Sequence, residues 1–255
     1  MRPPIYVITM KRRQDRRDRL LPHLGKEQVF LSYDVCGDLD GTLMTVDDFP
    51  DIQLFDWQLN QDTPTKLKEI CFPAQWEYLQ SWWNRPMRVG EICCSLAHAG
   101  CWDDAIARNC DAALFLEDDA LITAENGVDE VMGKFVEISK VDPEWDLLYF
   151  GRWPLAPDGP QVGNFVVPGL SYDTHAYALS RKGLRKIVQL EIRKKVMPAD
   201  EFLPATYTRH PRDDVAAAVP PTLRAYAVSP DLIVQWDAEG DVSETENSQF
   251  LQTQE

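Results

Sequence analysis

No stretch of this 255-residue chain approaches the roughly 18 consecutive apolar residues that a membrane-spanning helix needs, and no internal repeat or low-complexity tract is present. Basic residues are scarce: 26 Lys and Arg stand against 41 Asp and Glu, a formal net charge of −15. Nucleic acid and anionic membranes are polyanions that need a basic face, so neither is expected as the main partner. The six cysteines, at 36, 71, 93, 94, 101 and 110, contain no CxxC pair and are too thinly spread for a disulfide scaffold or a zinc ribbon. Cys94, His98 and Cys101 do fall at i, i+4 and i+7. Three ligands on one straight helix close a tetrahedron poorly, so the expectation there is an ordinary half-buried helix face. The first strand starts at Ile5, which leaves no room for a signal peptide, and the chain as given is expected in the cytoplasm. What is present is 44% hydrophobic residues, enough to build one large domain around a sizeable core.

The hydrophobic pattern alternates between strand and helix. Residues 5–9 read as a strand, 14–24 as a helix with Leu20, Leu21 and Leu24 inward, and 29–35 as a second strand, a βαβ opening. From 37 to 87 there is no sustained period, apart from a helix over 74–83. Ile92, Leu96, Ala99, Trp102 and Ile106 predict an amphipathic helix over 91–108. A helix over 128–138 and a strand over 145–150 follow. Strands at 163–168 and 174–179, a basic helix over 181–194, a Pro-bounded helix near Asp200, and strands at 224–228 and 232–236 complete the pattern. The expectation is a single α/β domain over 1–236 with a mostly parallel sheet, and a polar, flexible tail over 237–255.

Glu117-Asp118-Asp119 ends the apolar run 112–116, which places three carboxylates at the C-terminal edge of a buried strand, where α/β proteins bind ligands. Adjacent acids repel and lose solvation there, so a divalent cation held by oxygen ligands explains the cluster, and a metal beside a crevice points to phosphate chemistry. Lys11, Arg12, Arg13, Arg16, Arg17 and Arg19 crowd one stretch, as a site for a nucleotide diphosphate or as a solvated helix face. A rival motif is Asp38-Leu39-Asp40-Gly41-Thr42-Leu43, which spells the nucleophile loop of haloacid-dehalogenase phosphatases. In that reading Asp38 attacks phosphorus, Asp40 manages protons and Asp118-Asp119 hold magnesium. Asp34, Cys36 and Gly37 interrupt the buried strand such a loop requires, and the acidic triplet lacks the usual glycine turn.

A second resemblance runs the whole length of the chain. Residues 5–10 followed by the Arg-rich 11–17 look like the opening of family 25 glycosyltransferases, with Thr9 in place of the usual Asn, and Asp40-Gly41 is similar to that family's Asp-Gly turn. Gly90-Glu91-Ile92-Cys93-Cys94-Ser95-Leu96-Ala97-His98 with Trp102 resembles its helix start, from which Cys93 and Ala97 depart. Leu148-Tyr149-Phe150-Gly151-Arg152, Met197 to Pro204 with His210-Pro211, Pro230-Asp231-Leu232, and Ser243 to Glu246 resemble the catalytic C-terminal half of procollagen galactosyltransferases. The resemblance implies a GT-A-type, Rossmann-like nucleotide-sugar domain, inverting transfer, UDP-galactose as donor and Mn2+ as the ion. Its acceptor would be a hydroxyl, of hydroxylysine in a collagen-like chain or of a lipopolysaccharide sugar. If a leader has been removed, the site of action would be the endoplasmic reticulum lumen.

Placed on that chemistry, Glu117 and Asp119 are the metal ligands, with His210 or His175 as a third. Arg12 and Arg16 face the donor, Asp118 either binds the donor's hydroxyls or joins the metal, and His98 either contacts donor or metal or orients its helix and packs near Trp102. Asp200 is the acceptor-side base or else a helix cap, and Glu201 is the alternate base. Arg13, Arg17 and Arg19 are expected on the surface. Trp57, Trp82, Trp83 and Trp153 would stack on the acceptor or pack a lid. The departures at Thr9, Cys93 and Ala97 leave room for a GT-A module that binds nucleotide-sugar without turnover.

Overall fold

The computed structural model describes residues 2–57, 59, 65–236, 243 and 245–251, of which the side chains of 65 and 66 are left aside. In chain order the strands are β1 (Ile5–Ile8), β2 (Val29–Leu31), β3 (Ala112–Glu117), β4 (Ala120–Ile122), β5 (Leu147–Pro154), β6 (Gln161–Val162), β7 (Phe165–Val166), β8 (Ser171–Ser180), β9 (Ala225–Val228) and β10 (Ile233–Gln235). The helices are α1 (Gln14–Leu20), α2 (Ser32–Cys36), α3 (Thr65–Ile70), α4 (Trp76–Trp83), α5 (Val89–Ala107), α6 (Val128–Val141), α7 (Arg181–Gln189), α8 (Ala199–Ala205) and α9 (Asp213–Ala218). None among the described residues is long and apolar enough to cross a membrane.

Eight strands form one sheet in the order β2-β1-β3-β8-β5-β9-β7-β6. Strands β2, β1, β3, β5, β9 and β6 share a direction, and β8 and β7 oppose it. The sheet is therefore predominantly parallel in strand direction, with β8 inserted antiparallel between β3 and β5. That insertion matters for function, because it lays the start of β8 beside the end of β3: Leu116 pairs with Ala176.

Side chains alternate across the sheet, so each face carries its own core. Tyr6, Phe115, Tyr149 and Tyr177 pack under α5, with Trp102 and Phe202. Ile5, Val7, Leu114 and Leu116 pack on the other face with Leu20 of α1 and Val131, Phe135 and Ile138 of α6. A smaller cluster of Leu67, Leu79, Trp83, Leu155 and Tyr172 holds α3 and α4 against the long β5–β8 hairpin.

Three expectations are corrected. The strand expected over 29–35 stops at Leu31, because Ser32 Oγ accepts from the Thr9 N–H at 3.0 Å and donates to the Thr9 carbonyl at 2.9 Å. Those are the backbone groups a further rung would need, and the chain turns into α2 instead. Helix α7 ends at Gln189 rather than 194: Ser180 caps its start through the Gly183 N–H at 3.0 Å, and Glu191 leaves the helical region at φ 51°. Helix α5 is buried on nearly every side rather than amphipathic, since it lies between the sheet, α2 and α7. In the segment set apart as a polar tail, residues 245–251 run across the start of α5. Val89 N–H donates to Gln249 O at 3.0 Å, Leu251 N–H to Met87 O at 2.8 Å and Gly90 N–H to Ser248 Oγ at 2.9 Å. Residues 237–242, 244 and 252–255 of that segment lie outside the described residues.

Candidate active site

The C-terminal ends of β1 and β3 and the first turns of α5 surround an open cleft. Thr9, Arg16, Cys93, Cys94, Glu117, Asp118, Asp119, Ser243 and Thr245 are among the residues that line it. Its mouth is set by glycine. A Cβ on Gly41 would lie 2.4 Å from Gly90 Cα, so the turn after Asp40 can touch α5 only without a side chain.

The acidic triplet sits where the sequence placed it, at the end of β3, and its three members have different surroundings. Glu117 accepts from Thr174 Oγ1 at 2.5 Å and lies 3.3 Å from His98 Nε2. Burial works to raise its pKa, but the His98 and Thr174 contacts outweigh that and hold it below the ordinary value. His98 is completely buried, with Nδ1 2.8 Å from Tyr177 Oη, which in turn accepts from Trp102 Nε1 at 2.8 Å. The chain of donors assigns the tautomer: Tyr177 O–H donates to Nδ1, so the Nε2–H points at Glu117. His98 thus holds Glu117 in place and does not face the donor, one of the roles expected of it.

Asp118 has both oxygens engaged, by Thr9 Oγ1 at 2.6 Å and Arg16 Nη1 at 3.0 Å. Burial nonetheless raises its pKa. Thr9, the departure from the family pattern, is the residue that fixes this carboxylate. Asp119 is 6% exposed; Gln235 Nε2 donates to Oδ2 at 3.2 Å, Arg16 approaches at 3.4 Å, and Oδ1 is buried with no hydrogen-bond partner among the described residues. Burial, then repulsion from Glu117 and Asp118, pushes its pKa up to about 7.

Two further acids, on other elements, lie close enough to Glu117 for its charge to bear on them. Asp173 on β8 has a left-handed backbone, φ 69°, and burial followed by the charge of Glu117 pushes it up to about 7. Asp200 lies in the first turn of α8 with Oδ1 buried and without a hydrogen-bond partner among the described residues. No side chain caps this helix, so the capping role for Asp200 is set aside. Burial, then Asp173 and Glu117, raises its pKa well above the carboxylate range. Asp173 was missed by sequence reasoning. The signal for it was the polar run Tyr172-Asp173-Thr174-His175 opening an otherwise apolar strand, but only the β3–β8 pairing brings that run to Glu117.

Other expectations are overturned. Glu201 cannot serve as a base: it is fully buried, its Oε1 accepts from Trp82 Nε1 at 2.9 Å, Trp83 Nε1 at 3.0 Å and Tyr172 Oη, and Oε2 lies 2.7 Å from His210 Nε2. That pair also removes His210 as a metal ligand. His210 Nδ1 accepts from the Arg212 N–H, so its Nε2 carries the proton toward Glu201. His175 Nε2 lies 3.3 Å from Ile233 O, and burial keeps the ring's pKa low. Arg12 does not reach the donor cleft; it pairs with Asp40 at 2.5 Å. Asp40 is buried, and although burial works to raise its pKa, Arg12 and Thr42 hold it low. Asp38 accepts from the Lys11 N–H at 3.0 Å, and neither Asp38 nor Asp40 ends a strand, which removes the phosphatase loop. Arg13 and Arg17 are buried rather than on the surface. Arg17 donates to Lys11 O at 2.7 Å and Gln14 Oε1 at 3.0 Å, and Arg19 stacks on Trp236 at 4.7 Å.

Of the four tryptophans, Trp83 is buried on Glu201, and Trp57 donates to Arg85 O at 3.0 Å with Arg212 stacked at 3.9 Å. Trp82 and Trp153 are half-buried and flank Tyr78, with ring centroids at 6.1 and 5.0 Å. Tyr78 is 41% exposed, and the charges of Asp200, Glu201 and Asp173 all bear on its hydroxyl. This aromatic wall therefore adjoins Asp200.

A family model described as glycosyltransferase family 25 (LPS biosynthesis protein) matches residues 2–146. The chain belongs to glycosyltransferase family 25. Procollagen galactosyltransferase 1-B of Xenopus laevis is 32% identical over 255 residues, covering 96% of this chain and 38% of that protein. Inactive glycosyltransferase 25 family member 3 of Homo sapiens is 31% identical, covering 96% and 39%. This family 25 chain thus spans about two fifths of the length of the relatives it matches. Among solved structures, a glycosyltransferase involved in glycosylation of the major capsid of PBCV-1 aligns over 96% of this chain and 98% of its own, at 11% identity and a TM-score of 0.39.

Proposed function

We propose that this family 25 chain is a divalent-cation-dependent, inverting glycosyltransferase domain that moves galactose from UDP-galactose to a hydroxyl of a collagen-like protein or a glycan. The observation that carries the proposal is that Glu117 and Asp119 line one cleft while the charge of Glu117 bears on Asp119, Asp173 and Asp200 alike. Asp119 and Asp200 each retain a buried carboxylate oxygen with no hydrogen-bond partner among the described residues. So much uncompensated acid is costly unless a cation or a proton neutralises it. Glu117 and Asp119 are the residues that would hold Mn2+, which when bound supplies positive charge for a departing diphosphate.

The chain's own residues do the rest. Thr174 and His98 fix the Glu117 carboxylate, while Thr9 and Arg16 fix Asp118. Arg16, buried in the cleft wall, adds a guanidinium beside the site of the leaving phosphates. Asp200, once ionised, takes the proton of the acceptor hydroxyl; a carboxylate whose pKa has been raised is a stronger base than an ordinary one. Tyr78, Trp82 and Trp153 offer the acceptor an aromatic wall next to that base. Names of relatives support galactose and a procollagen acceptor.

The test is a panel of UDP-sugars with and without Mn2+, read by melting temperature and by UDP release. UDP-galactose with Mn2+ is expected to raise the melting point and to release UDP, and Asp200→Asn is expected to slow transfer by about 10²- to 10⁴-fold. A panel with neither melting shift nor UDP release would overturn the proposal. Binding without release would leave a nucleotide-sugar-binding module.

A further inference from the structure

The all-oxygen ion of the proposed reaction is not the only cation chemistry in the cleft. Among the described residues, a single group of three or more His, Cys, Asp or Glu has ligand atoms within 4.8 Å of one another, and it is Cys94, His98 and Glu117. The cysteine-histidine seam weighed from the sequence does not form as such, because Cys101 is fully buried and its free thiol is engaged in a hydrogen bond with that of Cys36. Glu117 replaces it from a second element, which removes the objection that one straight helix cannot surround an ion.

We propose that Cys94, His98 and Glu117 form a binding site for a thiophilic divalent cation, Zn2+ being the type. Cys94 and His98 are four apart on α5 and so share a face, and Glu117 meets that face from the end of β3. Zinc bond lengths imply ligand-to-ligand edges of about 3.3 to 3.6 Å in a tetrahedron. The His98 Nε2 to Glu117 Oε1 distance is 3.3 Å already. For coordination the imidazole shifts its proton to Nδ1, where Tyr177 Oη is 2.8 Å away to accept it, the outer hydrogen bond that metal-bound histidines commonly have. Cys94 gives up its thiol proton to solvent as the Zn–S bond forms, so ion uptake releases a proton. Cys94 and Glu117 both line the cleft, which gives the ion an entry path and leaves its fourth position toward solvent. Thiolate, imidazole and carboxylate together favour zinc over manganese, which prefers oxygen.

A consequence rests on the proposed transferase reading: an ion here takes Glu117 from the oxygen site, so zinc inhibits Mn2+-supported turnover. The binding test is independent of activity. Co2+ is titrated into the full chain and followed by absorption, with Zn2+ added to displace it. Wild type is expected to show a near-ultraviolet thiolate-to-cobalt band with tetrahedral visible bands, absent from Cys94→Ser and Cys94→Ala and retained in Cys93→Ala. Absence of the band in wild type, or its survival in the folded Cys94 variants, overturns the site. Zinc affinity is expected to fall at least about tenfold in Cys94→Ser. If UDP release is measurable, zinc should inhibit wild type at concentrations at least about tenfold lower than Cys94→Ser, each against its own zinc-free rate. Equal inhibition overturns the regulatory consequence, and a lack of turnover in all samples bears on the transferase reading while the cobalt spectrum still decides the site.

Discussion

At the scale of single residues, the site is built from groups that are individually unfavourable. Asp119 is ionised less readily in the folded chain than in the unfolded one, because burial and its acidic neighbours push its pKa up to about 7. A raised folded-state pKa contributes stability that is complete below the unfolded value, about 4 for an aspartate, and is lost as pH rises through about 7. Without added metal, Asp119→Asn should therefore melt higher than wild type at pH 8, by an amount on the order of a few kcal/mol. The gap should close by pH 4, and Mn2+ should no longer stabilise the variant. Melting curves at the two pH values check this; an Asn variant less stable than wild type at pH 8 would contradict it. Glu201 is the opposite case, a buried carboxylate whose Oε1 accepts from Trp82, Trp83 and Tyr172. Glu201→Ala leaves His210 and two indole N–H groups without their acceptor and should cost about 3–5 kcal/mol in urea unfolding. The sequence shows Asp200 and Glu201 as adjacent, equivalent acids. Packing alone separates them, since consecutive positions on α8 point in different directions.

At the scale of elements, the acidic edge was legible because a run of Ala, Leu and Phe can be buried only as a strand flanked on both faces, and its last residue must then emerge at a ligand-binding edge. The Asp-Gly turn was legible as a turn, but the reason for its glycine was not, since the constraint comes from a helix some fifty residues later. A Cβ on Gly41 would meet Gly90 Cα at 2.4 Å and Gly90 N at 2.6 Å, both backbone atoms with little freedom to yield. Gly41→Ala is expected to lower stability by about 1–3 kcal/mol, measured by chemical denaturation, and to weaken nucleotide-induced stabilisation. An alanine variant as stable as wild type would show that the turn and α5 separate easily. Helix α2 was misread as strand because its residues carry β-favouring patterning. Ser32, by taking the hydrogen-bonding groups of Thr9, decides the matter locally.

At the scale of the molecule, a chain of net charge −15 concentrates several of its acids in one cleft with Arg16 as the arginine in its wall. Protons and divalent cations then compete for the same carboxylates. Stabilisation by Mn2+ should accordingly be larger at pH 8 than at pH 5.5, because Asp119 and Asp173, both held near 7, are mostly protonated at the lower value. Thermal shifts at the two pH values, at fixed ionic strength, read this directly. The sequence by itself determined the α/β class, the strand that carries the acids and the family, since these follow from patterns along the chain: burial period, turn residues and ordered motifs. Tertiary structure decided which acids meet. Asp173 joins Glu117 because β8 enters the sheet antiparallel beside β3, Glu201 is withdrawn by Trp82, Trp83, Tyr172 and His210, and His98 is turned onto Glu117 by Tyr177. These are contacts between residues tens of positions apart, and one-dimensional periodicity carries no information about which distant side chains share a volume.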